Sequence, residues 1–185
     1  MKSTLLVLSL VGATVTAVGT WRVGPGDVRV ICPMTIGGTF DARTTALSCA
    51  VTARGSGSAS LDGSVAVDLR TLDTGITLRN EHLRENYLEV TKGPEFDSAT
   101  LSEIHLQGVD PDAPEGKGSF TGMLQLHGVT KTVTGTIDVR QAGTDVRVKA
   151  SFPVTLPDYS IRKPRYLGVG VKDTVTVEVA FAVTR

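Results

Sequence analysis

The side chains best suited to metal binding or nucleophilic chemistry are few, and comprise His82, His105, His127, Cys32 and Cys49. No two histidines stand at i, i+2 or i, i+4, and no carboxylate completes a set of metal ligands beside them. A structural zinc site needs four ligands, so we expect no metal site. The sequence also lacks a Gly-x-Ser-x-Gly motif, a carboxylate pair within an apolar run and a Cys–His arrangement. These residues therefore do not predict an enzyme.

The charge balance restricts the partners that the chain could bind. Its 185 residues include 19 lysines and arginines and 19 aspartates and glutamates, so the formal net charge is zero. Because no excess positive charge remains to neutralise a phosphate backbone, we expect no binding to nucleic acids. Hydrophobic residues make up 41% of the chain, which is enough for the core of one domain and unlike a disordered chain.

The first 19 residues have the order of a secretory signal peptide. Lys2 gives a basic tip, Leu5–Val11 forms a short apolar run, and small residues follow as far as Gly19. The run is shorter than the stretch of about 20 residues that crosses a bilayer as a helix. We therefore expect cleavage after Gly19, a mature domain over residues 20–185, and a periplasmic or secreted location. An uncleaved anchor or a first β-strand is the alternative for this segment.

Alternation of apolar and polar residues dominates the rest of the chain, and is typical of β-strands with one face in water. The clearest strands are Ser64–Arg70, Lys117–His127, Thr132–Arg140, Asp145–Thr155 and Thr174–Val183. Less regular strands are expected at Asp27–Ile31, Thr35–Ala42, Leu47–Arg54 and Ser98–Leu106. One helix is expected at Thr77–Asn86, with Thr77 as its N-cap. The pattern predicts an all-β protein of about eight to ten antiparallel strands, arranged as a barrel or sandwich, with one short helix.

The apolar faces of these strands supply the candidate interior residues of a barrel. They are Phe40, Val65, Val67, Phe120, Leu124, Leu126, Ile137, Val148, Phe152 and Phe181. A barrel of about eight strands has room either for packed side chains or for one small ligand, so these residues either fill the interior or line a cavity. Small inward residues at Gly122, Gly135 and Ala150 would leave space for a ligand.

Four stretches carry a resemblance to a known family. They are Thr74-Gly75 with Arg79-Asn80-Glu81-His82-Leu83, then Pro94-Glu95-Phe96-Asp97-Ser98, then Gly122-Met123-Leu124-Gln125-Leu126-His127-Gly128-Val129-Thr130-Lys131, and last a segment with Tyr159-Ser160-Ile161-Arg162, Tyr166-Leu167-Gly168-Val169 and Asp173-Thr174-Val175. In this order they resemble the YceI-like family of exported lipid- and polyisoprenoid-binding proteins, over roughly residues 20 to 185. The chain departs from the family at Asn80, where aspartate is usual.

The resemblance implies a fold and a function. The family fold is an extended, lipocalin-like antiparallel β-barrel whose long apolar cavity holds an isoprenoid chain. The resemblance therefore implies a non-enzymatic carrier of a polyisoprenoid or quinone-like lipid, without a cofactor, that contacts membranes transiently and acts as a monomer or homodimer. Two alternatives stay open, namely a packed structural or adhesion barrel without a ligand, and a hydrolase or isomerase that works at the barrel mouth.

Two further pairs of residues have open roles. Arg79 and His82 lie at i, i+3 on the expected helix, and form either a polar rim for a ligand head group or a structural plug that joins the helix to strand ends; we favour the plug. Cys32 and Cys49 could form a disulfide in an oxidising compartment. However, a hairpin turning near residues 43–46 would place Cys49 opposite residues 39–41 rather than opposite Cys32, unless a bulge at Gly37-Gly38 restores the pairing.

Overall fold

The computed structural model describes residues 22–54, 59–110, 113–163, 165–166 and 169–184. The expected signal peptide, residues 1–19, lies outside the described residues, so its cleavage stays a prediction. Among the described residues, no helix has both the length and the apolar composition needed to cross a membrane.

Nine strands form one antiparallel sheet, and two further short strands pair with each other. The strands are β1 (Arg22–Pro33), β2 (Thr39–Thr44), β3 (Leu47–Arg54), β4 (Ser60–Asp68), β5 (Ser98–Gln107), β6 (Gly116–Leu126), β7 (Val129–Ala142), β8 (Asp145–Thr155), β9 (Arg165–Tyr166), β10 (Val169–Gly170) and β11 (Thr174–Thr184). Their order in the large sheet is β2-β1-β11-β8-β7-β6-β5-β4-β3. The sheet curls into a half-barrel, which confirms the predicted all-β fold.

The two edge strands of the sheet, β2 and β3, follow each other in the chain with only Thr45 and Ala46 between them. The chain therefore passes from one sheet edge to the other in two residues, and brings the edges together. A Cβ atom at Gly26 of β1 would lie 2.3 Å from Leu47 Cδ2, so this close approach requires glycine. The hairpin expected near residues 43–46 is therefore wrong, because closure of the sheet separates β2 from β3.

Two local features move the strand boundaries away from the expected ones. The strand expected at Thr35–Ala42 begins only at Thr39, because Gly37 and Gly38 have positive φ angles and turn the chain. The strand expected at Ser64–Arg70 begins earlier and ends at Asp68, whose side chain accepts a hydrogen bond from the Arg70 backbone N–H and starts a short 3-10 helix.

The expected helix is present as α1 (Thr77–His82), followed directly by a wider π-helical turn at Leu83–Tyr87. Its N-cap is Ile76 rather than Thr77, and it makes no side-chain capping bond. The preceding turn is instead held by Asn80, whose Oδ1 accepts bonds from the Thr74 N–H and hydroxyl, each at 2.8 Å. A short 3-10 helix (Val90–Lys92) and one turn of helix, α2 (Pro94–Asp97), then lead into β5. A last 3-10 turn, Leu156–Tyr159, follows β8.

Candidate functional site

An apolar cavity of about 170 Å³ lies at one end of the half-barrel. Its walls are the inward residues of the strands, including Val28, Val30, Cys32, Phe40, Ala42, Leu47, Val65, Val67, Ala99, Leu101, Leu124, Leu126, Phe152, Val154, Val175, Val177 and Val179. The segments that connect these strands cover it, and contribute Leu69, Leu72, Leu83, Tyr87, Leu88, Leu156, Ile161, Arg162 and Val171. Arg162 is the one charged residue that lines the cavity among the described residues. Apolar cavities of this kind stay dry and take up apolar molecules.

The cavity occupies one half of the interior, and side chains fill the other half. On β8, Phe152 and Val154 line the cavity, whereas Val146, nearer the other end of the strand, is buried in the core without lining it. On β11, Val175 lines the cavity, while Val183 belongs to the packed core. The interior thus combines the two arrangements that the alternating sequence leaves open, a packed core and a ligand-sized cavity.

The residues expected in the interior divide between these two halves. Six line the cavity, and are Phe40, Val65, Val67, Leu124, Leu126 and Phe152. Four pack into the core outside the cavity lining, and are Phe120, Ile137, Val148 and Phe181. The rings of Phe120 and Phe152 meet edge to face, with centroids 5.7 Å apart, at the boundary between the halves. This aromatic pair closes the inner end of the cavity.

The space expected beside two small inward residues is occupied by neighbouring side chains. A Cβ atom at Gly135 would lie 2.6 Å from the Phe120 ring, and one at Gly122 would lie 3.0 Å from Leu101 Cδ1. Ala150 packs against the core. The two glycines therefore make room for large side chains of the adjacent strands, one of which, Leu101, lines the cavity.

Comparison with known proteins agrees with this architecture. The YceI-like domain family model matches residues 21–183. The chain belongs to the YceI-like family. A UPF0312 protein of Vibrio vulnificus strain YJ016, VVA0736, is 34% identical over 83 residues, which cover 44% of this chain and 40% of that protein. The match thus spans less than half of the length of that curated relative.

Solved structures of low sequence identity share the YceI-like fold. A polyisoprenoid binding domain from Saccharophagus degradans, implicated in plant cell wall breakdown, is 17% identical with a TM-score of 0.63, over 89% of this chain and 98% of that one. BcnA of Burkholderia cenocepacia is 16% identical with a TM-score of 0.67, over 86% of this chain and 96% of that one. The Campylobacter jejuni YceI protein is 14% identical with a TM-score of 0.52, over 100% and 99% of the two chains.

Two of the stretches that carry the resemblance to the YceI-like family meet in space. Gly128 donates its backbone N–H to the Glu95 carbonyl at 3.0 Å, and Gln125 Nε2 donates to the same oxygen at 3.1 Å. The Phe96 ring meets the His127 ring edge to face, with centroids 4.8 Å apart. These two motifs therefore pack against each other and supply only Leu124 and Leu126 to the described apolar walls.

His127 is the central polar residue of this contact, and is only 8% exposed. Its Nδ1 lies 3.0 Å from the Tyr159 carbonyl oxygen, and its Nε2 lies 3.1 Å from Glu89 Oε2. Carbonyl and carboxylate oxygens only accept, so a ring nitrogen that carries a proton donates to the oxygen that it faces. Lys92 also bonds to Glu89, and this bond is the largest of the effects that lower the pKa of the carboxyl.

Sequence reasoning assigned no structural role to His127, because its partners are distant in the chain. Glu89 lies 38 positions away, and Tyr159 lies 32 positions away. The signal that could have identified it is the placement of an ionisable residue directly after the buried strand residue Leu126 and before Gly128, whose φ angle of 73° makes the turn.

Arg79 and His82 occupy different environments, although they lie one helical turn apart. The Arg79 guanidinium stacks over the Phe40 ring, with its Cζ 4.6 Å from the ring centroid. Because Phe40 lines the cavity, this places Arg79 beside the cavity mouth. His82 is exposed. Neither residue makes a hydrogen bond of the expected plug among the described residues. Arg84, in the π-helical turn, donates from Nη2 to the Leu72 carbonyl at 2.8 Å.

The two cysteines are free thiols on separate strands. Cys32 lies opposite Phe40, and Cys49 lies opposite Val65. Cys32 lines the cavity, and burial raises the pKa of its thiol to about 11. Burial also raises the pKa of Cys49. Both thiols are thus poorly ionised at neutral pH, which disfavours a nucleophilic role.

A second, polar hollow lies at the seam between the sheet edges, where Asp41, Arg43 and Asp73 line it. Two of its three carboxylates, those of Asp41 and Asp73, have partners. Asp41 accepts from Arg29 Nε at 2.8 Å, and Asp73 accepts from the Gly75 backbone N–H at 2.8 Å. These bonds are the largest of the effects that lower the pKa values of the two carboxyls. The hollow therefore contains ion pairs and turn contacts, and the described residues contain no group of three or more metal-ligating side chains.

Proposed function

We propose that this chain binds a polyisoprenoid or similar apolar lipid in the cavity at one end of the half-barrel, and acts as an exported carrier without bond chemistry. The observation that carries the proposal is an almost wholly apolar cavity whose walls come from most strands of the sheet. The polyisoprenoid binding domain from Saccharophagus degradans, which has the same fold, supports the choice of ligand.

The ligand class follows from the lining. The apolar walls of the cavity offer almost no hydrogen-bond partners, so most of the affinity comes from removing hydrocarbon from water, at about 0.8 kcal/mol for each methylene-sized group. Affinity should therefore rise with chain length until the cavity is full. Arg162, at the mouth, also donates from Nη2 to the Asn86 carbonyl at 3.3 Å, and is placed to meet a polar head group.

A displacement assay tests this proposal. N-phenyl-1-naphthylamine, whose fluorescence rises in apolar surroundings, is bound to the protein and then displaced by geraniol, farnesol and geranylgeraniol. We expect displacement to strengthen from ten to fifteen carbons, because the longer chain buries more surface. Failure of the probe to bind, or displacement that is independent of chain length, would contradict the proposal.

A matched pair of variants assigns the binding to the cavity. Val177→Phe adds a ring to the cavity wall, whereas Thr176→Phe adds the same ring one residue earlier on β11, on the opposite face of the strand. We expect Val177→Phe to weaken farnesol binding about tenfold or more, which corresponds to the loss of about two buried methylene-sized groups. Thr176→Phe should bind as the wild type does.

The packed barrel without a ligand is the second candidate, and the filled half of the interior favours it. It predicts that the probe finds no site and that Val177→Phe changes stability only. Export is tested separately by sequencing the amino terminus of the exported protein. A start at Thr20 is expected, and an intact Met1 would contradict cleavage.

A further inference from the structure

The large apolar side chains that are exposed lie in two segments of the described chain. Ile36 is 66% exposed and lies in the loop between β1 and β2. Ile76 and Leu78 are 49% and 60% exposed and lie at the start of α1. These are the exposed large hydrophobic residues among those that the structure describes. Exposed apolar side chains beside a binding cavity, unlike scattered single ones, indicate an interaction surface.

Backbone and ring contacts join these segments to residues of the cavity lining or to their neighbours in the chain. The Arg79 guanidinium, next to Leu78 in the chain, stacks on Phe40, which lines the cavity. The Thr35 N–H, next to Ile36, donates to the Gly170 carbonyl at 2.7 Å. The Lys172 N–H donates to the Pro33 carbonyl at 2.8 Å, beside the cavity residue Val171. We call Ile36, Ile76 and Leu78 the apolar lip.

Two cations that lack acidic partners lie in the segments that carry or contact the apolar lip, and a third lines the cavity. Among the described residues, no carboxylate pairs with Arg79, Arg162 or Lys172. Arg79 lies over Phe40, and Arg162 is exposed at the cavity lining. The loop that carries Ile36 has no charged residue between Pro33 and Thr39. Exposed aliphatic side chains beside unpaired cations match the interface of an anionic bilayer, where apolar groups enter the acyl region and cations meet phosphates.

We propose that the apolar lip docks this protein on an anionic phospholipid bilayer, with the cavity mouth towards the membrane. The inference rests on the proposed lipid binding, since docking in this orientation lets an apolar ligand pass between bilayer and cavity without crossing water. A few exposed side chains give a weak and reversible attachment, as a carrier requires.

Co-sedimentation with vesicles tests the proposal. Vesicles of phosphatidylcholine with one quarter phosphatidylglycerol are compared with pure phosphatidylcholine, for the wild type, the double variant Ile36→Asp/Leu78→Asp, and the control Thr144→Asp. Thr144 is exposed in the turn between β7 and β8, beyond the packed half of the interior. Binding of N-phenyl-1-naphthylamine in the absence of vesicles is measured for each protein, and reports both folding and the cavity. The milder double variant Ile36→Ser/Leu78→Ser is added in case the aspartates prevent folding.

We expect the wild type and Thr144→Asp to sediment with the anionic vesicles, and the Ile36→Asp/Leu78→Asp variant to partition at least about tenfold less while it still binds the probe. Sedimentation of that variant like the wild type, or equal binding of the wild type to neutral vesicles, would overturn the inference. A wild type that binds the probe but no vesicle would overturn the docking alone and leave the proposed function intact. A wild type that forms dimers through the apolar lip, lost in the variant, would also overturn bilayer docking.

Discussion

His127 connects three segments that lie far apart in the sequence. It follows β6, its Nε2 faces Glu89 near the helical segment, and its Nδ1 faces the Tyr159 carbonyl after β8. Since these segments cover the cavity, the residue that joins them sets how firmly the cover is closed. The stacked Phe96 ring fills the remaining side of the imidazole.

Removing the His127 side chain should destabilise the protein. In His127→Ala, the carboxylate of Glu89 and the Tyr159 carbonyl lose a hydrogen-bond partner, which is expected to lower the free energy of unfolding by about 1–3 kcal/mol. Urea unfolding followed by circular dichroism measures the change. The control His82→Ala removes an exposed ring and should change stability by less than about 0.5 kcal/mol. Equal losses of stability in the two variants would show that the contacts of His127 do not stabilise the protein.

Cys32 reports on the cavity through its reactivity. In a Cys49→Ser variant at pH 8, a thiol of pKa about 11 is only about 0.1% ionised, so its reaction with Ellman's reagent should be at least about tenfold slower than in urea. The rate should rise with pH towards 11 and fall when farnesol is added, because the ligand covers the thiol. A native rate equal to the unfolded rate, or a rate that farnesol leaves unchanged, would exclude Cys32 from the binding cavity.

At the scale of elements, the packing of β6 against β7 decides where the interior is filled. Phe120 lies opposite Gly135, and its ring occupies the volume that a side chain at position 135 would need. The ring then meets Phe152 of β8 and closes the inner end of the cavity. Glycine at 135 therefore sets the boundary between the packed half and the cavity.

Gly135→Ala should test this boundary. The new Cβ would lie 2.6 Å from the Phe120 ring and 2.5 Å from the Ser151 carbonyl oxygen, so we expect a loss of about 1–3 kcal/mol in the free energy of unfolding. The additional substitution Phe120→Leu should restore part of the lost stability. Gly24→Ala is the control, because its Cβ would meet its nearest neighbour, the Ala182 carbonyl oxygen, at an ordinary 3.4 Å. If Gly135→Ala is as stable as Gly24→Ala, the close packing at this position is refuted.

The sheet and the helix could be predicted from the sequence, because alternation and turn residues are local properties. The meeting of the two sheet edges, β2 and β3, could not be predicted, because a two-residue link such as Thr45-Ala46 favours a hairpin locally. Only closure of the whole sheet separates β2 from β3. The location of the cavity also depends on register. The pairing of Phe120 with Gly135 fills one half of the barrel interior, and no property of either residue alone reveals that pairing.

At the scale of the whole molecule, ion pairs distributed over the surface make the free energy of unfolding depend on pH in the acidic range. Hydrogen bonds lower the pKa values of several carboxyls, namely Asp41, Asp68, Asp73, Glu89 and Asp138. The largest effect comes from an arginine or lysine side chain at four of them, and from the Gly75 backbone N–H at Asp73. A carboxyl with a lowered pKa binds fewer protons in the folded state, so it adds stability above its unfolded pKa of about 4 and loses it below.

The stability that these carboxyls contribute should therefore be fully present above pH 5. The free energy of unfolding should decrease as the pH falls from about 4 through the lowered pKa values. Urea unfolding at pH 7, 5, 4 and 3 measures this dependence. Asp41→Asn, which removes one of the shifted groups but keeps an acceptor, should make the acid decrease shallower. An unchanged slope in that variant would mean that Asp41 does not contribute.

The central claim is that the cavity holds an apolar lipid, and the most direct test is mass spectrometry of organic extracts from the purified native protein. We predict that the wild type yields an isoprenoid or other long-chain lipid in roughly stoichiometric amount, that Thr176→Phe yields the same, and that Val177→Phe yields much less. Equal amounts from all three proteins would contradict binding in the cavity. So would an extract without any lipid from a wild type that also takes up no farnesol.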